Sequence, residues 1–126
     1  MQEAVSKKQL NNLGENMYQG FKDLTVYKLS YKLAMEIFNI SKNFPKEEKY
    51  SLTDQIRRSS RSVPTNIAEA YRKRRYPKHF VSKLTDSECS ETIVWIDFAF
   101  NCGYINKRQH AYFNTKYEEV GKCLVQ

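Results

Sequence analysis

From Leu24 to Leu124, apolar residues return at three- and four-residue steps through four successive segments, and no stretch alternates residue by residue as a half-buried strand would. This period makes the chain all-α. Only four Gly and three Pro interrupt its 126 residues, so the helices are long and the connections between them few. A chain of this length builds one core. Residues 1–20 form a polar leader with only scattered apolar positions, among them Leu10, Leu13 and Met17, and residues 21–126 carry the periodic pattern.

The first helix is expected after Asp23, a suitable N-cap, and to run to about Asn43, before Phe44-Pro45 ends it. Its stripe is Leu24, Tyr27, Tyr31, Ala34, Phe38 and Ser41, widened by Val26, Leu33, Ile37, Ile40 and Phe44. The second is expected from Ser51, where Ser51-Leu52-Thr53-Asp54 resembles a capping box with Asp in the last position. Leu52, Ile56, Ser60, Val63, Ile67, Ala70 and Tyr71 run straight through Pro64, so a kink or local break inside one helical span is expected there. Pro64 takes away the usual donor to the Ser60 carbonyl, and the hydroxyls of Ser59, Ser62 and Thr65 stand close enough to rearrange around it. Pro77 opens a third helix whose stripe reads Phe80, Val81, Leu84, Glu88, Glu91, Val94, Trp95, Phe98 and Cys102, with Gly103 as its stop. The fourth begins near Asn106 and carries Ala111, Phe113, Tyr117, Val120 and Leu124. Four such helices on short connections pack as an antiparallel up-down-up-down four-helix bundle.

The charge is unevenly placed. The formal net charge is +7, and between Gln55 and His79 stand eight basic residues against the single acid Glu69. These are Arg57, Arg58, Arg61, Arg72, Lys73, Arg74, Arg75 and Lys78, and the rest of the chain balances at 13 basic and 13 acidic residues. Such a focus of positive charge suits a polyanion, RNA or DNA above all, although a solvated face, an anionic membrane or an acidic protein partner accounts for the same charge. Arg57 and Arg61 share a helix face with Arg58 beside them, and the other five gather at the helix end and the following turn. Arginine predominates, which suits bidentate contact with phosphate. Tyr71 and Tyr76 flank the turn and can stack on unpaired bases. No helix-turn-helix, zinc-finger or RNA-recognition motif is present, so backbone or shape recognition is favoured over reading of base sequence.

Asn66, Glu69, Glu88 and Glu91 fall on otherwise apolar faces. A carboxylate-dependent or metal-dependent enzyme built on Glu69, Glu88 and Glu91 is one reading. Neither His79 nor His110 stands three residues after a Glu, as di-iron bundles require, and no nucleophile or phosphate-binding loop accompanies the carboxylates. The simpler reading is a structural polar network in which Glu88 or Glu91 meets Arg57, Arg58 or Arg61 and fixes helix register. Cys89, Cys102 and Cys123 are widely spaced, which favours small buried side chains over a disulfide framework or a metal site. No metal or cofactor is expected. With no bilayer-length apolar run and no signal-peptide core, the protein is expected to be soluble and cytoplasmic, with no membrane partner.

Four blocks carry a family resemblance: Phe21-Lys22-Asp23-Leu24-Thr25-Val26-Tyr27, Phe44-Pro45, Leu52-Thr53-Asp54-Gln55-Ile56-Arg57-Arg58, and Ser62-Val63-Pro64-Thr65-Asn66-Ile67-Ala68-Glu69. Together they resemble the bacterial 23S rRNA intervening-sequence proteins, also labelled S23, over about Phe21 to Leu124. Ala70 departs from the pattern, since the family usually has Gly there. The chain is similar as well to the accessory variability proteins of diversity-generating retroelements. The resemblance implies a non-enzymatic four-helix bundle, a homo-oligomer of five copies, and a basic surface that binds nucleic acid. It also implies a possible protein partner, a reverse transcriptase, for which the bundle would serve as an accessory subunit.

Overall fold

The expected helices form, but the groups that cap the first two differ from those their sequence suggests. The computed structural model describes residues 20–73 and 78–125. Its α-helices are α1 (Thr25–Ser41), α2 (Leu52–Lys73), α3 (Lys78–Asn101) and α4 (Lys107–Val125), with 3-10 turns at Gly20–Asp23 and Lys46–Glu48. There is no strand among the described residues. The leader up to Gln19 and the turn residues Arg74, Arg75, Tyr76 and Pro77 lie outside them.

Asp23 does not cap α1. It closes the preceding 3-10 turn, and Leu24 takes the N-cap position because its carbonyl accepts the Lys28 N–H at 3.0 Å. The helix stops at Ser41, ahead of Phe44-Pro45, as the N–H groups of Asn43 and Phe44 bond the carbonyls three residues back. The expected capping box at Ser51 is replaced by a reach from the connection. The Ser51 hydroxyl donates to Glu48 Oε1 at 2.6 Å, and the Leu52 N–H donates to the same oxygen at 3.4 Å. Tyr104 donates to the other Glu48 oxygen at 2.8 Å, which ties this connection to the one between α3 and α4. The bonds from Ser51 and Tyr104 hold the Glu48 carboxyl below its ordinary range.

At α3 and α4 the sequence signals are met more fully. Gly103 has φ +81°, and its N–H bonds Phe100 O while the Tyr104 N–H bonds Ala99 O, which completes a Schellman stop. Asn106 Oδ1 accepts the Gln109 N–H, and Gln109 Oε1 accepts the Asn106 N–H, both at 2.8 Å. That exchange is a reciprocal capping box at the start of α4.

Neighbouring helices run antiparallel, and α4 closes on α1. The end of α1 meets the start of α2 where Arg57 reaches Ser41, and Asp97 of α3 meets His110 of α4 at 2.7 Å. Ser59 and Thr92, equally far from the connection between α2 and α3, bring their hydroxyls to 2.9 Å in the buried seam. Tyr112 of α4 donates to the Glu36 carboxylate of α1 at 2.7 Å. The core between the four helices is filled by Leu33, Ile37, Ile56, Val63, Ile96, Phe113, Tyr117 and Val120.

In two helices the buried face is rotated from the expected stripe. In α1 the core takes Ser30, Leu33, Ala34, Ile37 and Ser41, and leaves Tyr31 exposed. In α3 it takes Thr85, Cys89, Thr92, Ile96 and Ala99, while Val94, Phe98, Glu91 and Cys102 face outward. α3 is apolar on more than one side, so periodicity alone does not orient it. Small side chains at the seam let helix axes approach closely, and this selects the Thr-Cys-Thr-Ala face over the bulkier one. Of the cysteines only Cys89 is fully buried, and Cys102 is exposed, contrary to the role expected for it.

Pro64 lies inside the uninterrupted helix α2, as the stripe requires. The nearby hydroxyls of Ser59, Ser60, Ser62 and Thr65 bond the carbonyls of Ile56, Arg57, Arg58 and Arg61, on either side of the Ser60 carbonyl that Pro64 leaves without a donor. A proline costs about 3 kcal/mol more than alanine in a helix interior. Burial of its extra methylenes returns about 1.6 kcal/mol at roughly 0.8 kcal/mol each. Pro64→Ala is therefore expected to raise unfolding stability by about 1 kcal/mol, read as a higher urea midpoint at unchanged slope. A fall in the midpoint would show that the ring's packing outweighs the lost hydrogen bond.

Candidate nucleic-acid interface

Helix geometry divides the side chains of α2 between two neighbours. Ile56, Ser60, Val63 and Ile67 face the core, while Arg57, Arg61, Pro64, Thr65, Ala68 and Arg72 follow the edge that borders α1. Arg57 donates from Nε to Ser41 Oγ at 2.7 Å, and its guanidinium lies 4.7 Å from the centre of the Phe38 ring. Arg61 stands 5.6 Å from the same ring, and Lys42 Nζ stands 4.8 Å from it. Three cations thus gather around one aromatic ring. The ring's negative quadrupole offsets part of their repulsion. None of the three is ion-paired among the described residues, so the cluster still carries nearly its full positive charge.

Further along the same edge, α1 and α2 enclose an open groove of about 780 Å³. Ala34, Pro64 and Ala68 form its floor, and Phe21, Tyr27 and Tyr31 its aromatic side. Arg61 and Arg72 line the groove and are exposed, three helical turns apart on one face, or about 16 Å along the axis. At the far end Gly20 passes so close to Tyr71 that a methyl group on it would stand 2.9 Å from the phenol oxygen. This contact holds the Phe21 segment against α2, and Tyr71 is half-buried there.

Of the residues singled out from the sequence, the structure brings Arg57, Arg61 and Arg72 onto one surface. Arg58 points aside, 4.0 Å from Asp54 one turn earlier in α2. Lys73 and Lys78 stand at the facing ends of α2 and α3, and Arg74 and Arg75 fall outside the described residues. The expected pairing of Glu88 or Glu91 with Arg57, Arg58 or Arg61 does not form. The arginines project toward α1 and the α2 surface, whereas α2 meets α3 through Ser59 and Thr92. Glu88 is half-buried and Glu91 exposed on α3, and desolvation together with the nearby Glu91 charge raises the Glu88 pKa. Asn66 is half-buried and Glu69 lies on the groove, so these four polar residues do not gather in one network.

Sequence reasoning missed Lys42 and Phe38. Phe38 falls on the stripe expected to face the core, and Lys42 follows the helix end in a stretch of mixed charge. The available signal was an aromatic in the last turn of one helix facing arginines in the first turns of an antiparallel neighbour. The aromatic groove is not legible either, because Tyr27 and Tyr31 fall on the stripe expected to face the core.

Among the described residues, no three His, Cys, Asp or Glu side chains cluster as metal ligands, and no helix is long and apolar enough to cross a membrane. The buried Cys89 thiol is pushed up to about 12 by burial and by the charges of Asp86 and Glu88. A family model described as 23S rRNA-intervening sequence protein matches residues 22–126. No curated protein matches the chain.

Proposed function

Since the chain belongs to the 23S rRNA-intervening sequence protein family, we propose that it is a binding protein, not an enzyme, that self-associates and holds RNA or DNA by its phosphates. One observation carries this reading: Lys42, Arg57 and Arg61 converge on Phe38 with no carboxylate ion-paired to them among the described residues, on the edge that continues to Arg72. Crowded like charges repel, and a row of phosphates relieves that repulsion while releasing counterions. Contacts of this kind ignore base identity, so recognition is largely independent of sequence. No reaction is assigned to the carboxylates, because Glu69 lies on the groove between α1 and α2 and Glu88 and Glu91 lie on α3. The test is a titration of nucleic-acid affinity against salt. Binding that is insensitive to salt would assign the basic edge to a protein partner, such as the reverse transcriptase of a retroelement.

The contact between copies is assigned to α3. Val94 and Phe98 are exposed there, and Trp95 lies against Phe98 with ring centres 5.8 Å apart. Interfaces are enriched in such aromatics. By family likeness the assembly is a homopentamer. Sedimentation at tens of micromolar protein is expected to show a species larger than one chain, and Phe98→Ser is expected to shift it toward the monomer. A monomeric native chain at that concentration would refute self-association.

A further inference from the structure

The geometry points to an unpaired nucleobase, on a strand whose phosphates meet Arg61 and Arg72, as the occupant of the groove between α1 and α2. This rests on the nucleic-acid reading above and adds a preference that charge alone does not produce.

Three features define the occupant. The first is the rack of rings: Phe21 and Tyr27 pack edge to face with centres 5.1 Å apart, and Tyr31 follows Tyr27 at 5.9 Å. Tyr31 is outermost and 52% exposed, so a ring of the groove stands open to a flat ligand. The second is the floor. Ala34 and Ala68 are small and apolar, and Pro64 carries no N–H, so that floor offers stacking surface and no donors with which to read a base edge. The third is the pair of guanidiniums. Arg61 and Arg72 both line the groove from one face of α2, so a strand laid along α2 meets positive charge at two points beside the rings. Thr65 and Glu69 also line the groove from α2, but the two guanidiniums leave its charged lining net positive, and an aromatic groove of this charge is complementary to an unpaired base on a strand whose nearby phosphates reach the arginines. A base inside a duplex is already stacked and paired and does not enter.

The consequence can be separated from electrostatics. A duplex carries twice the charge per unit length of one strand, so a purely ionic surface binds duplex at least as well as single strand. A groove that takes a base reverses that order.

The experiment measures the full chain against three probes at one salt concentration by fluorescence anisotropy: a short thymidylate strand, an abasic strand of equal length, and the corresponding duplex. The thymidylate strand is expected to bind about tenfold or more tighter than the abasic strand, the range that stacking of a single base supplies. Tyr31→Leu keeps an apolar side chain and is expected to remove most of that advantage, while Tyr31→Phe preserves it and the salt dependence stays unchanged in both. Equal binding of all three probes would overturn the inference and leave the phosphate reading in place. No binding to any probe at low salt would overturn both. A Tyr31→Leu variant that keeps the advantage, or that instead changes the sedimenting species, would also overturn it, the latter because the groove would then seat a second copy of the chain.

Discussion

Replacing Lys42, Arg57, Arg61 and Arg72 together by glutamine is expected to lower nucleic-acid affinity on the order of a hundredfold to a thousandfold at 0.1 M salt. Each phosphate that a cation neutralises contributes about −0.9 to the slope of log affinity against log salt for duplex DNA, and about −0.7 for single strands. Four lost contacts should therefore make the slope less negative by about 3, for every sequence alike. The fold should persist, because Lys42, Arg61 and Arg72 are exposed and, among the described residues, the side-chain hydrogen bond at stake is that of Arg57 to Ser41. Loss of that charged bond costs about 1.5–3 kcal/mol at most. A thermal melt beside each affinity measurement separates lost binding from unfolding. Arg58→Gln serves as the control: its side chain already faces Asp54, and its loss should change the slope by less than one phosphate's share. An unchanged slope in the fourfold variant would show that this edge does not meet phosphates.

The second large effect lies in α3. Ile96 is fully buried, and Ile96→Ala should cost about 2–5 kcal/mol, from lost transfer energy and the cavity left behind. Against a total stability of about 5–15 kcal/mol this is a large fraction, and it should move the urea midpoint by about 1–2 M. Phe98 is 53% exposed, and Phe98→Ala should change the stability of the single chain by no more than about 0.5 kcal/mol. The stripe through Glu88, Glu91, Trp95 and Phe98 predicts the reverse order. Equal costs, or a larger one at Phe98, would place that stripe inside. Any cost at Phe98 that grows with protein concentration would belong to association, not to the core.

How much of this was legible depended on how strongly each helix contrasts its two sides. In α2 the apolar positions Leu52, Ile56, Val63 and Ile67 alternate with arginines, serines and threonines, so its stripe was correct through Pro64. In α3 nearly every turn offers an apolar residue on two faces, and the larger ones drew the stripe to the wrong side. The stop at Gly103 and the start at Asn106 were visible because each acts within one turn of its own helix. Glu48 as the cap of α2 was not visible, since its other partner, Tyr104, comes from a connection far along the chain.

The basic edge shows the same division. Sequence alone determined that four helices form, that Pro64 lies within one of them, and that the excess positive charge sits on α2 and the turn after it. These are properties of neighbours a few residues apart, which a helix brings together whatever it packs against. Only the tertiary structure decided that Arg57 and Arg61 share Phe38 with Lys42 instead of pairing with Glu88 or Glu91, and that Tyr27 and Tyr31 border a groove. Those outcomes depend on which face of α2 turns toward α1. That rotation is set by close packing of small side chains such as Ser59 and Thr92 at the α2–α3 seam, where fit between two surfaces matters and hydrophobicity along one strand of sequence does not report it.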